Sequence, residues 1–433
     1  MFYLDNILIE LIFVFLHFGV FIANYKIMNR TIMHPAVLFS LLWSVILLLH
    51  FVFSFTLLKE LFPISLSTYF IFLIGVLSFS FGSFIETVLW QKKAPFNDNK
   101  YLSENEISLH LRLILLGVVI LGLPLYIQAT YRLFITSNID DFFIGLRTEL
   151  SYGDEDIGPT KYLLIFSFIV YAINLHSFLK EKKTINKVLC IVSLWLVIIY
   201  SIFYTGRTYF LIIVAIYMGL NHLGNKSFSI KKMIWLISIF MLVFITIGII
   251  YGKGGNTEDS IKQNIEPAAQ TTALYMVTSL NALEYELNDN FEVNYTGNHS
   301  LRFFRKIGER LNLIPNLKID ELVQPFVFVP YPTNVYTVYS PYIRDFGRVY
   351  AWLMMAFFGF IHTWLYYKAL SIKDLRYSLY YSFLLFPLLI SFFMDFYLTT
   401  ISMWIQIIFF IELALYLNKF LIYRKMKNSV RKI

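Results

Sequence analysis

The chain has 433 residues, of which 58% are hydrophobic and only 15% charged, with a net charge of +8. Soluble domains carry about one quarter charged residues, so the composition excludes an ordinary soluble fold and points to a chain solvated by lipid. The positive balance does not indicate nucleic acid, because Lys and Arg fall in short loops between apolar runs, as a membrane topology requires. The single cysteine, Cys190, stands inside an apolar run, which excludes a disulfide framework and a thiolate metal site.

Successive runs of about 20 nearly uncharged residues are each long enough to cross a hydrocarbon core of about 30 Å. In chain order the predicted spans are Leu4–Ala23, Pro35–Leu58, Leu66–Trp90, Leu113–Ile135, Lys161–Leu179 and Val188–Tyr204. They continue with Tyr209–Leu223, Ile234–Tyr251, Val349–Tyr367, Tyr377–Tyr397 and Ile401–Phe420. The expectation is therefore an all-α, polytopic membrane protein of about 11 spans in a single membrane domain over residues 1–433. The first run lacks a basic start and a small-residue cleavage site, and reads as a span rather than a removed signal peptide. Alternate loops hold the Lys and Arg, among them Lys26, Arg30, Lys92, Lys180, Lys231, Lys368 and Arg424. By the loop-charge rule this puts the N-terminus outside and the C-terminus inside.

Two segments predicted to lie outside are long, residues 136–159 and 252–345. The second far exceeds ordinary loop lengths and is too apolar for a solvated linker, with Phe303, Phe304, Leu311, Phe326 and Tyr339 among its residues. Two helices are expected in it. After Pro267, a plausible first-turn residue, Ala273, Val277, Leu280 and Leu287 recur at helical spacing, so this helix should lie on the membrane surface or on the span bundle. The second follows Asn298 as N-cap and places Arg302, Arg305, Lys306 and Arg310 on or near one face.

Several groups could carry chemistry. The basic face of the second helix would bind phosphate through paired guanidinium hydrogen bonds; its plain alternative is a helix resting on anionic lipid heads. Arg207 sits in Tyr204–Thr208, a turn joining two spans with almost no loop, and an ionisable group at membrane depth is a functional candidate unless it snorkels to lipid phosphates. Arg147 lies among Asp140, Asp141, Asp154, Glu155 and Asp156, where a surface ion pair is the simpler reading, and no set of ligands at metal spacing accompanies these acids. The stretch Thr333–Gly347 offers Asn334, Tyr336, Tyr342, Arg344 and Asp345: aromatic and amide groups suit sugar, although tyrosines also anchor spans at bilayer interfaces. His299 is the one histidine of the large loop and the candidate imidazole base. Asp395, deep in the tenth predicted span, requires a partner, for which an Arg at the outer mouth is the expectation.

Taken together, the many spans, the Gly-Arg-Thr turn at Gly206–Thr208, and the large late loop ending in Thr333-Asn334-x-Tyr336-Thr337 and Tyr342-x-x-Asp345-Phe346-Gly347 resemble the Wzy-type oligosaccharide repeat-unit polymerases of bacterial O-antigen and capsule synthesis. The resemblance covers most of the chain in architecture, but in motif it rests on those two segments. It implies a GT-C-like fold in the bacterial plasma (inner) membrane and a glycosyltransferase that joins oligosaccharides carried on undecaprenyl pyrophosphate at the outer face. No metal or cofactor is implied, because the lipid pyrophosphate is the leaving group. A chain-length regulator and a flippase are implied as partners. Outer-loop arginines are the functional residues implied, and the positions that fit are Arg147, Arg207, Arg302, Arg305, Arg310 and Arg344. In this reading Arg207, Arg302 and Arg305 hold pyrophosphate, Asn334 and Tyr336 touch sugar, and Asp345 or His299 is the base. An O-antigen-ligase-like transferase remains an alternative. Lipid-phosphosugar mannosyltransferases would show an acidic pair in the first outer loop, where only Glu60 stands. The non-enzyme alternative is a flippase, which would show related halves and short loops; the sequence has no internal repeat, and transport does not explain the long loop.

Overall fold

A computed structural model of the chain describes residues 2–93, 106–152, 157–224, 229–250, 261–288, 292–313, 324–372 and 374–430. Among them the order is α1 (Phe2–Ile27), α2 (Pro35–Phe55), α3 (Leu66–Lys93), α4 (Leu109–Thr136), α5 (Phe142–Tyr152), α6 (Lys161–Lys180) and α7 (Thr184–Phe203). There follow α8 (Tyr209–Gly224), α9 (Ile230–Ile250), α10 (Ile261–Asn288), α11 (Arg302–Arg310), a two-residue hairpin β1 (Val327–Phe328) and β2 (Pro332–Thr333), α12 (Ser340–Ser371), α13 (Leu375–Leu389) and α14 (Ile401–Val430). Nine of the described helices are long and apolar enough to cross a membrane: α1–α4, α6, α7, α9, α12 and α14. The protein is thus an all-helical, multi-pass membrane protein. Helix α8, at 16 residues, is apolar but shorter than those nine.

The tenth predicted span is not one continuous helix. Helix α13 stops at Leu389, and residues 390–400 are turn and irregular backbone. Pro387 lacks an N–H and ends the regular ladder locally. Asp395 then gives the chain an alternative set of acceptors, taking the N–H of Tyr397 and of Thr399, both at 3.0 Å.

The chain forms two compact units. The first comprises residues 1–97, 253–367 and 386–401, and so contains α1–α3, α10, α11, the hairpin, most of α12 and the irregular segment. Its helices pack closely because small residues face backbone. A Cβ on Gly82 would come within 1.8 Å of the Ala356 carbonyl oxygen, and one on Gly359 within 2.0 Å of the Phe79 carbonyl oxygen. Small residues of this kind let membrane helices approach each other. Beside them the Ser83 hydroxyl donates to the Gly359 carbonyl at 3.0 Å and accepts from Thr363 at 2.9 Å. Tyr339 fills the space between α2 and α3, 5.1 Å from the Trp43 ring and 5.9 Å from Phe72.

The second unit comprises residues 98–252, 368–385 and 402–433. Helix α6 runs through its interior, with Leu164–Ser177 buried throughout. Polar ties at helix ends complete it: Arg112 donates to Asn186 at 2.8 Å, and Asn418 accepts the Ser108 N–H at 2.9 Å. Helix α5 lies within the first long predicted outer segment. Its N-terminal N–H of Ile144 is capped by the Asp141 carboxylate at 2.9 Å, and Phe143 packs on Phe210 and Ile247.

Candidate functional site

Most of the residues singled out in the sequence lie in the first unit, where α10 acts as the hub. This helix begins at Ile261, so Pro267 is inside it rather than in its first turn. It packs on the end of α2 through Ala273, Val277 and Leu58, the bundle rather than the membrane surface. Polar side chains then fasten it on several sides. Thr278 bonds Thr333 at 3.1 Å, Ser279 donates to the Phe392 carbonyl at 2.6 Å, and Glu284 accepts the Ser65 N–H at 3.0 Å and its hydroxyl at 2.8 Å. Glu286 accepts the Ser340 hydroxyl at 2.8 Å and forms an ion pair with Arg344.

The Arg344 guanidinium also stands 5.2 Å from the centre of the Tyr336 ring, within cation–π range. Tyr336 is itself buried, donates to the Pro325 carbonyl at 3.3 Å, and has its hydroxyl pKa pushed up to about 12, first by burial and then by Tyr285. Arg344 and Asp345 therefore do not pair with each other. Successive residues on a helix point in different directions, and α12 turns Arg344 to Glu286 and Asp345 to another segment.

That segment is the turn leading into α11. Asp345 is fully buried. One carboxylate oxygen accepts the His299 N–H at 3.2 Å, and the other accepts both the Ser300 N–H and the Ser300 hydroxyl at 2.6 Å. The Asn294 N–H adds a bond to the Arg344 carbonyl at 3.0 Å. This explains why α11 starts at Arg302, with Leu301 as N-cap, and not directly after Asn298. The carboxylate that holds this turn comes from a distant residue, and such a partner leaves no local pattern in the sequence. Both oxygens are engaged by this turn, so Asp345 anchors the approach to α11.

Helix α11 carries the basic residues together. The pKa of Lys306 is lowered by partial burial and then by the neighbouring charges of Arg302 and Arg310, so these three cations share one field. Arg305 donates to the Thr296 carbonyl, which ties it back to the turn. His299 and Asn334 are half-buried. Two residues after Asp345, Gly347 takes φ 84°, a backbone state that glycine adopts without strain. It separates the short helix over Ser340–Phe346 from the apolar length of α12.

Tyr342, expected at sugar, is buried and donates to Asp395 at 2.8 Å. Asp395 is thus satisfied by a tyrosine hydroxyl and two main-chain N–H groups, not by an arginine. Charge alone points to an arginine partner. Nothing local in the sequence distinguished it from a hydroxyl 53 residues away.

Arg207 and Arg147 belong to the second unit. Arg207 is 8% exposed, stands 4.2 Å over the Phe244 ring and donates to the Phe244 carbonyl at 3.5 Å. Its turn is strained, for Thr205 has φ 57°, an outlier for a β-branched residue and a kind that gathers at functional sites. Arg147 is half-buried on α5. Of the acids expected around it, Asp154, Glu155 and Asp156 lie outside the described residues. Among the described residues no group of three or more His, Cys, Asp or Glu could hold a metal.

The sequence reading missed a polar cluster inside the first unit, made of Glu10, His50, Tyr69 and Asn281. The His50 Nδ1 lies 2.5 Å from Glu10 and its Nε2 lies 3.1 Å from the Asn281 side-chain oxygen. Glu10 and His50 were each visible as ionisable residues in apolar runs, and that was the signal to follow.

Over 231 residues the chain is 25% identical to a protein of Escherichia coli (strain K12) described as "Putative O-antigen polymerase". The match covers 53% of this chain and 52% of that relative, so the chain spans about half of the relative's length. No family model matches the chain, and no solved structure matches it.

Proposed function

We propose that the protein is a glycosyltransferase that joins oligosaccharide repeat units carried on a polyprenyl pyrophosphate, undecaprenyl pyrophosphate by resemblance. It would work at the outer face of a bacterial plasma membrane, in O-antigen or capsule synthesis. The observation that carries this reading is the clamp made by Asp345. Its carboxylate holds the turn that leads into the basic helix α11, near the point where α12 turns through Gly347 into its apolar length. Cations are thereby fixed beside a membrane span, where a lipid-borne diphosphate would lie. The relative described as "Putative O-antigen polymerase" supports a polymerase role in O-antigen synthesis.

In the reaction, an acceptor hydroxyl oxygen attacks the anomeric carbon of the donor chain. The bond from that carbon to the pyrophosphate oxygen breaks as the new glycosidic bond forms, and the lipid diphosphate leaves. Negative charge grows on the departing diphosphate, so fixed cations stabilise the transition state more than the ground state. Arg302, Arg305, Lys306 and Arg310 are assigned to that charge; Arg207 and Arg147, within the second unit, are assigned separately to binding of phosphate on a lipid-linked substrate. Arg344 and Asn334 form the sugar-side wall with Tyr336. With Asp345 committed, His299 is the group assigned to take the hydroxyl proton. Tyr342 is assigned to support of the Asp395 segment.

The test is purified protein in liposomes with a lipid-linked repeat unit. A ladder of products is expected, and Arg302→Ala and Arg207→Ala are each expected to abolish it while the protein still inserts. A single transfer to another lipid would indicate a ligase, and movement across the bilayer without a new bond a flippase. Normal ladders from both variants would remove these arginines from the mechanism.

A further inference from the structure

The Glu10, His50 and Asn281 side chains come from α1, α2 and α10, three elements of the first unit. Glu10 is 8% exposed, His50 2% and Asn281 1%. The orientation of the Asn281 amide is set by its other end, where Nδ2 donates to the Phe62 carbonyl at 2.7 Å. Its Oδ1 is therefore the acceptor, and the His50 Nε2 must carry a hydrogen to donate to it. On the opposite side one proton lies between His50 Nδ1 and the Glu10 carboxylate, and the Tyr69 hydroxyl also bonds Glu10. Whichever of the two holds that proton, the pair is uncharged overall, which is the form a low-dielectric interior tolerates. Both ring nitrogens are occupied, so the imidazole is not open to a substrate. Glu284, the other charged group facing this region from α10, is taken up by Ser65 and Asn288.

We infer that His50 is a positioning residue, whose two-sided hydrogen bonding fastens α10 to the membrane bundle and so fixes the Glu286–Arg344 pair in register with α11. The reach of the argument follows from what α10 carries. Asn281 and Glu286 are five residues apart, or about 7.5 Å along the helix, so a loosened Asn281 moves the side chain that holds Arg344. The effect on turnover rests on the polymerase reading above, whereas the mechanical part does not.

The experiment compares His50→Leu and His50→Gln with the unaltered full chain in nanodiscs, reading hydrogen–deuterium exchange and repeat-unit transfer. Gln keeps two N–H donors on one nitrogen, and serves as the conservative variant. His50→Leu is expected to raise exchange over α10 at least tenfold while α3 and α12 stay protected. It is also expected to raise KM for the lipid-linked unit more than it lowers kcat, and His50→Gln should restore most of both. Unchanged α10 exchange in His50→Leu overturns the inference, as does a loss confined to kcat with α10 still protected. Exchange rising everywhere at once would mean general unfolding, and overturns it too. If the unaltered protein transfers nothing, the polymerase reading fails while the exchange data still decide the role of His50.

Discussion

Lys306 is the residue at which the charge of α11 can be read directly. Its pKa is lowered, by partial burial and by Arg302 and Arg310. Removing one like charge removes part of the depression, so Arg302→Gln should raise it. Anion binding that needs the protonated amine is lost as pH rises through that pKa. The alkaline limb of inorganic pyrophosphate binding is therefore expected to move to higher pH in Arg302→Gln, even as affinity at neutral pH falls. A limb that stays in place would mean that Lys306 does not share the site. Arg302, Arg305, Lys306 and Arg310 were legible as one face because helical spacing is local. The partners of Arg344, Asp345 and Asp395 were not, because Glu286, Ser300 and Tyr342 are each more than 40 residues distant in sequence, and no local pattern encodes such pairs.

At the scale of elements, the turn that leads into α11 depends on a carboxylate supplied from α12. Each hydrogen bond to a charged group is worth about 1.5–3 kcal/mol, and Asp345 makes three. Asp345→Ala should unlatch the turn before Arg302. The expected outcome is new proteolytic cleavage within 294–301, with transfer lost and membrane insertion kept. If Asp345→Ala leaves that turn protected but abolishes transfer, the carboxylate acts in the chemistry instead. Helix packing gives a second test. Gly82→Val forces atoms into the Ala356 backbone, which cannot yield as a side chain would, and should lower the thermal midpoint in detergent by several degrees. Overpacking of this kind typically costs about 1–3 kcal/mol. The existence of α3 and α12 could be read from hydropathy, since each run is continuous. The break of the tenth span at Leu389 could not, because the residues after it are as apolar as a span and the signal lies in how Asp395 is used.

At the scale of the molecule, basic loops alternate along the chain, and this predicts which loops face which side. Cys190 is buried, so single cysteines added elsewhere report cleanly. A cysteine at Lys59 should react with an impermeant thiol reagent from outside in intact cells, and one at Lys182 only after permeabilisation. The reverse pattern would invert the orientation and move α11 to the wrong side for a lipid-linked donor exposed to the exterior. The membrane character was legible because it is a property of composition. The division into two compact units was not, since each is assembled from three separate stretches of chain.

The backbone around Asp395 has a consequence for how such proteins can be rebuilt. Peptide groups inside lipid must find hydrogen bonds from the protein itself. Here the Phe392 carbonyl is met by Ser279, and the Ser391 carbonyl by the N–H of Val338. Both donors belong to the long connection between α9 and α12. Helix α10 and the residues just before α12 are thus part of the packed unit and no detachable appendage. A chimera that grafts a foreign stretch over 261–345 while keeping residues 390–400 should misfold, and exchanging the two stretches as a matched set should restore it.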